Sequence, residues 1–168
     1  MYISTVKSSV KSPADCYADL DKATAYTTDD LMYRHWDHTV MEIPHTYTAD
    51  FSFNGSITPA DSKDILAGES ELYELPTEPF GGLEQLTWSP DRKYIAYSCR
   101  KVTGKRYAFS TDTEIYIYNV QSGETSVIDM KGGYDTDPVW SPDGSKICWV
   151  SMERDGYEAD KQRLFVID

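Results

Sequence analysis

The chain has 168 residues, of which 40% are hydrophobic, and its formal net charge at pH 7 is −12. That length is enough for one domain or for part of a larger one, and the apolar fraction is enough for a packed core. The acidic balance argues against nucleic acid and anionic membrane as partners, because both attract clustered Lys and Arg. No apolar run approaches the roughly 18 residues that cross a bilayer. The first residues show no signal-peptide pattern, so the compartment, cytoplasmic or periplasmic, stays open.

The first third of the chain predicts two strand regions separated by an insertion. Residues 2–7 and 46–51 have strand patterns, and the Asn-Gly pair at 54–55 predicts a turn into a further strand. The stretch between them, about residues 8–44, is predicted to be an insertion made of loop and a short helix. The helix is expected near residues 14–25, after a proline.

A repeated string marks the middle and the end of the chain. Trp88-Ser89-Pro90-Asp91 returns as Trp140-Ser141-Pro142-Asp143, 52 positions later. In each copy a strand ends on a Trp that is expected to fill the space beside a neighbouring sheet. A tight turn follows, in which Pro fixes φ and Asp bonds to nearby backbone amides. Arg92 stands where the second copy has Gly144, so the first turn is expected to be of another type or strained.

The segments after each turn read as further strands. Residues 94–98 and 147–151 are apolar on both faces, which predicts that both faces are covered. Residues 113–119 alternate between polar and apolar, and a Gly-containing hairpin leads from them into residues 125–130. Residues 163–168 match residues 114–119 in pattern.

The repeat spacing is near the roughly 40–50 residues of a four-stranded propeller blade. We therefore predict an all-β fold, an incomplete β-propeller over residues 1–168 with about three four-stranded antiparallel blades. The blade pieces are expected at about 2–75, 76–131 and 132–168, with the chain entering the first blade late and leaving the third early. Exposed blade faces and edges predict that the chain associates with itself.

The sequence contains none of the common catalytic motifs. It has no G-x-S-x-G, H-E-x-x-H, P-loop or G-x-G-x-x-G, so no catalytic residue and no cofactor are predicted. His35, His38 and His45 with Asp37 would hold zinc only if they converged, and a small metal-binding β-domain is therefore a minor alternative. The acidic strings at 112–114 and 135–137 lack a calcium loop and are more typical of turn caps. The three cysteines have no CxxC spacing, and Cys99 and Cys148 are expected to be buried thiols.

The charged segment at 151–161 is the main candidate for binding. It joins two predicted strands, as does the long segment at 100–112 one repeat earlier, and such loops gather at the ends of a propeller. Glu153 and Glu158 would hold a peptide's terminal ammonium by charge-assisted hydrogen bonds, beside Arg154. The alternative is a solvated loop in which Arg154 pairs with neighbouring acids.

Three strings carry a family resemblance. The pattern P-x-W-S-P-D-G-x-x-I at 138–147 resembles the repeats of TolB-like propellers and of the propellers in prolyl oligopeptidase-family serine peptidases. The strings DLMYRHWD at 30–37 and SMERDGYEAD at 151–160 are similar to segments of bacterial acylaminoacyl-peptidase and dipeptidyl-peptidase relatives. The resemblance covers essentially the whole chain.

This resemblance implies a parent protein with an N-terminal propeller over a C-terminal α/β-hydrolase domain. The catalytic Ser, Asp and His would then lie in that domain, outside this chain. The propeller would screen peptide substrates by size and help to bind their amino end. Dipeptidyl peptidases of this kind often use a Glu-Glu pair for the amine, and no adjacent pair occurs here. The alternative is a TolB-like interaction propeller with no enzyme attached.

Overall fold

A computed structural model describes residues 1–30, 38–50, 60–128 and 132–168. These residues form an all-β structure with three antiparallel sheets and only short helical turns. The N-terminal sheet has the order β1–β2–β3, the central sheet β4–β5–β6–β7, and the C-terminal sheet β8–β9–β10. The strands are β1 Tyr2–Lys7, β2 Glu42–Asp50, β3 Ala60–Asp64, β4 Leu86–Trp88, β5 Tyr94–Cys99, β6 Glu114–Asn119, β7 Thr125–Ile128, β8 Tyr134–Trp140, β9 Ile147–Met152 and β10 Arg163–Ile167.

The all-β prediction is confirmed, and each Trp of the repeat ends a strand as predicted. The central sheet is a complete four-stranded meander, and each of the other two has three strands among the described residues. The turn predicted at Asn54-Gly55 and the end of the strand at 125–130 lie outside the described residues. No helix in the described part of the chain is long and apolar enough to span a membrane.

The two copies of the repeat turn have the same geometry. The Ser89 hydroxyl bonds to the Asp91 carboxylate at 2.7 Å, and the Ser141 hydroxyl bonds to the Asp143 carboxylate at 2.6 Å. Arg92 has φ of 61° and Gly144 has φ of 73°, so Arg92 adopts the left-handed conformation that glycine adopts without steric cost. The first turn is therefore of the same type as the second, so the expectation of a different type is wrong. The alternative expectation, that Arg92 is strained, is the one that the structure shows.

Two apolar clusters hold the sheets together. One face of the central sheet, including Ile95 and Tyr97, packs against residues that follow β3, among them Ile65 and Leu75. The opposite face packs against the C-terminal sheet in a second cluster: Ala96, Ile115, Ile147 and Trp149 are buried there, with Ile117, Ile128, Trp140 and Phe165 packed around them. The central sheet is thus covered on both faces, as its doubly apolar second strand predicted.

The insertion is less helical than predicted. It runs from residue 8 to residue 41, since β2 begins at Glu42, and its only helix among the described residues is α1, Pro13–Cys16. Ser12 caps this single turn, and Tyr17 already has extended φ and ψ. None of the α1 residues is buried, and so short a helix is marginal without packing, which explains why it stops there. A second short helix, α2, Arg106–Phe109, lies between β5 and β6 and was not predicted.

Candidate functional site at the loop end of the sheets

The sheets have two unlike ends. The turns at 89–93, 119–124 and 141–146 are short, and we call their end of the structure the turn end. The opposite end carries the longer connections: 8–41 between β1 and β2, 100–113 between β5 and β6, and 153–162 between β9 and β10. We call it the loop end. Hydrogen bonds join these three connections, although they come from three different sheets.

Asp155 ties the third connection to the second. One oxygen of its carboxylate accepts hydrogen bonds from the Ser110 hydroxyl at 2.8 Å and from the backbone N–H groups of Thr111 at 2.7 Å and Asp112 at 3.1 Å. In return, the N–H of Gly156 donates to the Thr111 hydroxyl at 2.9 Å. Ser110 and Thr111 are almost fully buried, so these bonds satisfy groups that have little access to water.

Asp30 ties the first connection to the second. Its carboxylate accepts a hydrogen bond from the N–H of Gly104 at 3.0 Å. The first and third connections therefore each have one aspartate that accepts hydrogen bonds from backbone N–H groups of the second, or middle, connection. Carboxylates bond such amides more strongly than neutral acceptors do, which favours a fixed relative position of the three loops.

The loop end also carries exposed aromatic side chains. Tyr17 and Tyr26 are exposed on the first connection, Phe109 on the second, with 67% of its surface accessible, and Tyr157 on the third. Residues 89–93, 119–124 and 141–146 at the turn end expose no large apolar side chain. Exposed aromatic groups on fixed loops are typical of binding surfaces. This asymmetry makes the loop end the candidate functional site.

The three residues predicted from the 151–161 segment all lie on this surface. Glu153 is exposed, with a carboxylate oxygen 2.9 Å from the Arg163 guanidinium. The guanidinium of Arg154 makes two hydrogen bonds to Asp160, at 3.1 and 3.2 Å, and lies 3.9 Å from the centre of the Tyr157 ring. Glu158 is exposed. Arg154 is therefore paired with a residue of its own segment, and Glu153 with a residue of β10.

The Arg154–Asp160 pair shifts the pKa values of both of its members. Hydrogen bonds from Arg154 and from the Lys161 N–H lower the pKa of Asp160 to about 2. The same pair raises the pKa of Arg154, mainly through the hydrogen bond with Asp160. Both groups remain charged at neutral pH, so the pair adds no net charge to the surface.

A buried polar cluster supports the middle connection from below. The Tyr107 hydroxyl of α2 donates to the Glu74 carboxylate, which also accepts from the Glu78 N–H at 3.3 Å. The Arg100 guanidinium lies 4.1 Å from the centre of the Tyr107 ring. Glu74, Tyr107 and Arg100 are each at most 3% exposed. Burial, followed by the charge of Glu74, raises the pKa of Tyr107, which therefore stays a hydrogen-bond donor.

Two further carboxyl groups lie under the junction of the second and third connections. Burial raises the pKa of Asp112, and the neighbouring charge of Asp155 raises it further, while Arg106 at 3.1 Å opposes the shift. Burial also raises the pKa of Asp135, against a hydrogen bond from Ser151. These two carboxyl groups therefore keep their protons to a higher pH than a free aspartate does.

The metal-site alternative gains no support from the described residues. His35 and Asp37 lie outside them, His38 is exposed, and His45 is buried in β2 with Nδ1 2.7 Å from the Asp64 carboxylate. No three His, Cys, Asp or Glu side chains in the described ranges are arranged to hold a metal ion. This includes the acidic strings at 112–114 and 135–137.

Sequence reasoning singled out the segment at 151–161 but missed the residues that hold it against the second connection. The charged string contains Asp155 without distinguishing it, and no motif marks Asp30, Glu74 or Tyr107. Asp155 and Thr111 are 44 positions apart, and no periodic pattern connects them. The only sequence signal was the length of both connections relative to the turns.

The chain was also compared with known proteins. No protein-family model matches it. It is 52% identical over 159 residues to dipeptidyl-peptidase 5 of Porphyromonas gingivalis, an alignment covering 94% of this chain and 22% of the relative. It is 45% identical over 150 residues to dipeptidyl-peptidase 5 of Porphyromonas endodontalis, covering 89% of this chain and 21% of the relative.

A fungal protein shows the same pattern at lower identity. Dipeptidyl-peptidase 5 of Aspergillus fumigatus is 30% identical over 170 residues, covering 89% of this chain and 22% of the relative. All three relatives are named as dipeptidyl peptidases, and none of the three as an acylaminoacyl-peptidase. Nearly the whole chain is therefore homologous to a segment of proteins named dipeptidyl-peptidase 5, and it spans about a fifth of their length.

Proposed function

We propose that the chain is a noncatalytic β-propeller segment of a larger dipeptidyl peptidase, and that its loop end gates access and helps to bind the peptide substrate. The similarity to dipeptidyl-peptidase 5 proteins over 94% of the chain carries this proposal. The chain itself has no nucleophile motif. In the proposal the catalytic Ser, Asp and His belong to a C-terminal α/β-hydrolase domain of the longer protein.

The arrangement of the sheets supports the propeller part of the proposal. The central and C-terminal sheets carry the same turn and the same strand order, and they pack face to face. Aromatic pairs stack at equivalent positions, Tyr97 on Tyr116 at 5.3 Å and Trp149 on Phe165 at 5.7 Å between ring centres. Repeated sheets that stack through one recurring interface are the building principle of propellers.

The composition of the loop end supports the substrate-binding part. A dipeptidyl peptidase must recognise a free terminal ammonium, and in the proposal the loop end also screens substrates by size. In the proposal, Glu158 and Glu153 attract the ammonium, and the Arg154–Asp160 pair fixes the segment that carries them. Glu153 would exchange Arg163 for the substrate amine, because that contact is exposed and such contacts contribute little to stability.

Turnover of dipeptidyl chromogenic substrates tests the central proposal. We expect none from the 168-residue chain, and turnover from the longer gene product that contains it. A longer product that lacks G-x-S-x-G, or that cleaves no dipeptidyl substrate, would contradict the proposal. Cleavage of N-acyl amino acid substrates in preference to free dipeptides would instead indicate an acylaminoacyl-peptidase.

The role of the charged segment is tested in the longer enzyme by Glu153→Gln and Glu158→Gln. Each change keeps the size of the side chain and removes the charge that would bind the amine. We expect KM for a free-amine dipeptidyl substrate to rise about tenfold, the effect of one lost charge-assisted hydrogen bond, with kcat little changed. Glu124→Gln, the same substitution at an exposed position of the turn end, is the control. An unchanged KM in both glutamate variants would remove these residues from the binding site.

The second candidate is a TolB-like interaction propeller without an enzyme. The repeat turn Trp-Ser-Pro-Asp favours it equally, since that turn does not depend on catalysis. Capture of a protein partner by a longer product that has no hydrolase motif would favour this candidate over the first.

A further inference from the structure

A groove lies at the turn end, between the central and C-terminal sheets. Its volume is about 380 Å³, and residues of both repeat turns and of the adjoining strands line it. We call it the turn groove. The lining residues that matter for its chemistry are Pro90, Asp91, Tyr94, Trp140, Asp143 and Gly144. The volume is in the lower part of the range of roughly 300–1,000 Å³ that is typical of ligand pockets.

Packing between the two sheets gives the turn groove its shape. The Tyr94 ring of the central sheet stacks on the Trp140 ring of the C-terminal sheet, with ring centres 6.4 Å apart and planes inclined by 29°. A Cβ atom on Gly144 would lie 3.5 Å from Cδ of Pro90, so the second turn lies against the first. The groove is therefore preformed and has an aromatic wall made of two rings.

The turn groove is negatively charged. Hydrogen bonds within each turn, first of all from the Ser89 and Ser141 hydroxyls, lower the pKa of Asp91 and bring that of Asp143 to about 2. Both carboxylates are exposed and ionised at neutral pH. No Lys, Arg or His is among the described residues that line the groove. Two negative charges thus lie beside the aromatic wall, one from each turn.

Both carboxylates have an oxygen that a ligand can reach. The hydrogen bonds that Asp143 accepts from Ser141 and Ser145 all end on its Oδ1. Asp91 uses Oδ1 for its turn, and its Oδ2 lies 3.2 Å from the Lys93 ammonium. The side chains of this ion pair are 71% and 50% exposed, so the pair contributes little to stability and a ligand cation can replace it.

We propose that the turn groove binds an arginine side chain of a polypeptide partner, with the guanidinium between Asp91 and Asp143 and against the aromatic wall. A planar guanidinium stacks on aromatic rings and donates several hydrogen bonds to carboxylates at once, which an ammonium group does not match. The net charge of −12 attracts a cationic partner to the chain. The groove is at the opposite end from the loop end, so this site is separate from the proposed peptidase function.

Two observations favour an arginine within a polypeptide over free arginine. The α-carboxylate of the free amino acid would be repelled by the two aspartates of the turn groove. The indole N–H of Trp140 is buried and has no acceptor in the part of the chain that the structure describes. A polypeptide ligand would bring carbonyl groups that accept such hydrogen bonds.

Titration with N-acetyl-arginine amide tests the proposal. The Trp140 indole N–H signal, assigned by its loss in Trp140→Phe, is followed by NMR in the 168-residue chain. We expect a saturable shift with half-saturation on the order of 1 mM, because a single exposed side chain makes few contacts. N-acetyl-citrulline amide has nearly the same shape without the charge and should bind about tenfold more weakly. Free arginine and N-acetyl-lysine amide should also bind more weakly.

Variants locate the binding in the turn groove. Asp91→Asn and Asp143→Asn each keep an oxygen acceptor for the turn and remove one charge, and each should raise the half-saturation about threefold or more. Glu124→Gln, at an exposed turn-end position outside the groove, is the matched control and should leave it unchanged. Unshifted N–H signals of Lys93 and Ser145 show that the turns are intact in the variants.

Several outcomes would overturn the inference. The first is the absence of a saturable shift up to about 20 mM N-acetyl-arginine amide. Another is equal binding of the citrulline compound, which needs no variant and shows that the charge is not recognised. Unchanged half-saturation in both aspartate variants, or an equal loss in Glu124→Gln, would exclude the turn groove as the site. None of these results bears on the peptidase proposal, which is tested by turnover.

Discussion

Replacement of Asp155 by Ala is expected to destabilise the loop end more than the replacement of an exposed aspartate usually destabilises a protein. The carboxylate accepts three hydrogen bonds from Ser110, Thr111 and Asp112 at 2.7 to 3.1 Å. Leaving a buried donor without a partner costs about 1–3 kcal/mol, and two of these three residues are almost fully buried. Because Asp155 is itself exposed, water replaces part of the loss, and we expect a total of about 2–3 kcal/mol.

Urea denaturation measures this effect. With a slope of about 2 kcal/mol per M, the midpoint should fall by roughly 1 to 1.5 M. Asp155→Asn keeps an oxygen acceptor and loses only the charge, so we expect a loss of about 1 kcal/mol. Asp19→Ala, at an exposed position of the insertion, is the matched control and should remain within about 0.5 kcal/mol of the wild type.

Amide hydrogen exchange adds a local measurement. The N–H groups of Thr111 and Asp112 should exchange faster in Asp155→Ala, whereas those of the central strand β5 should exchange at nearly the wild-type rate. The reasoning is refuted if Asp155→Ala is as stable as the wild type. It is also refuted if Asp155→Asn loses as much as Asp155→Ala, because the charge rather than the acceptor oxygen would then be decisive.

Four further substitutions test the turns and the ionisable groups. Arg92→Gly should raise the free energy of unfolding by about 0.5–1 kcal/mol, and Gly144→Ala should lower it by a similar amount, because both positions have positive φ; thermal unfolding distinguishes them. Asp135→Asn should gain stability relative to the wild type as pH rises from 4 to 8, because burial raises the pKa of Asp135 and its ionisation opposes folding; urea midpoints across pH check this. In the wild type, the ionised Asp160 stabilises the fold, and this contribution is lost as pH falls from 3.8, the ordinary pKa of an aspartate, to about 2. Asp160→Asn should therefore lose less stability than the wild type over this pH range, which urea midpoints also measure.

The turns of the turn end could be predicted from the sequence because their hydrogen bonds join residues that are close together in the chain. The Ser89 hydroxyl and the Lys93 N–H both bond to Asp91 two residues away, and the second copy repeats this arrangement. Local bonds leave a fixed spacing in the sequence, and a spacing that occurs twice can be recognised. The strands next to the turns followed from the same register.

The helix predicted at 14–25 illustrates what composition cannot supply. Polar and small residues after a proline permit a helix, but only packing of an apolar face extends it beyond one turn. No residue of α1 is buried, and the helix ends at Cys16. The prediction that Cys148 is buried is wrong, because this thiol is only half-buried. An apolar strand pattern shows that a face is suited to burial. It does not show that another sheet covers that face.

The contrast between the two ends also bears on where function lies. At the turn end, aspartates bond within their own turns, and both copies are alike. At the loop end, Asp30 and Asp155 bond to a connection from another sheet, and the three connections differ in length and sequence. Features shared by repeats serve the packing that all repeats need, whereas the bonds of Asp30 and Asp155 are not repeated between the two turns and so do not belong to that shared packing. Because the two apolar clusters already hold the sheets together, the carboxylates that join unlike loops support our proposal of a binding surface at the loop end.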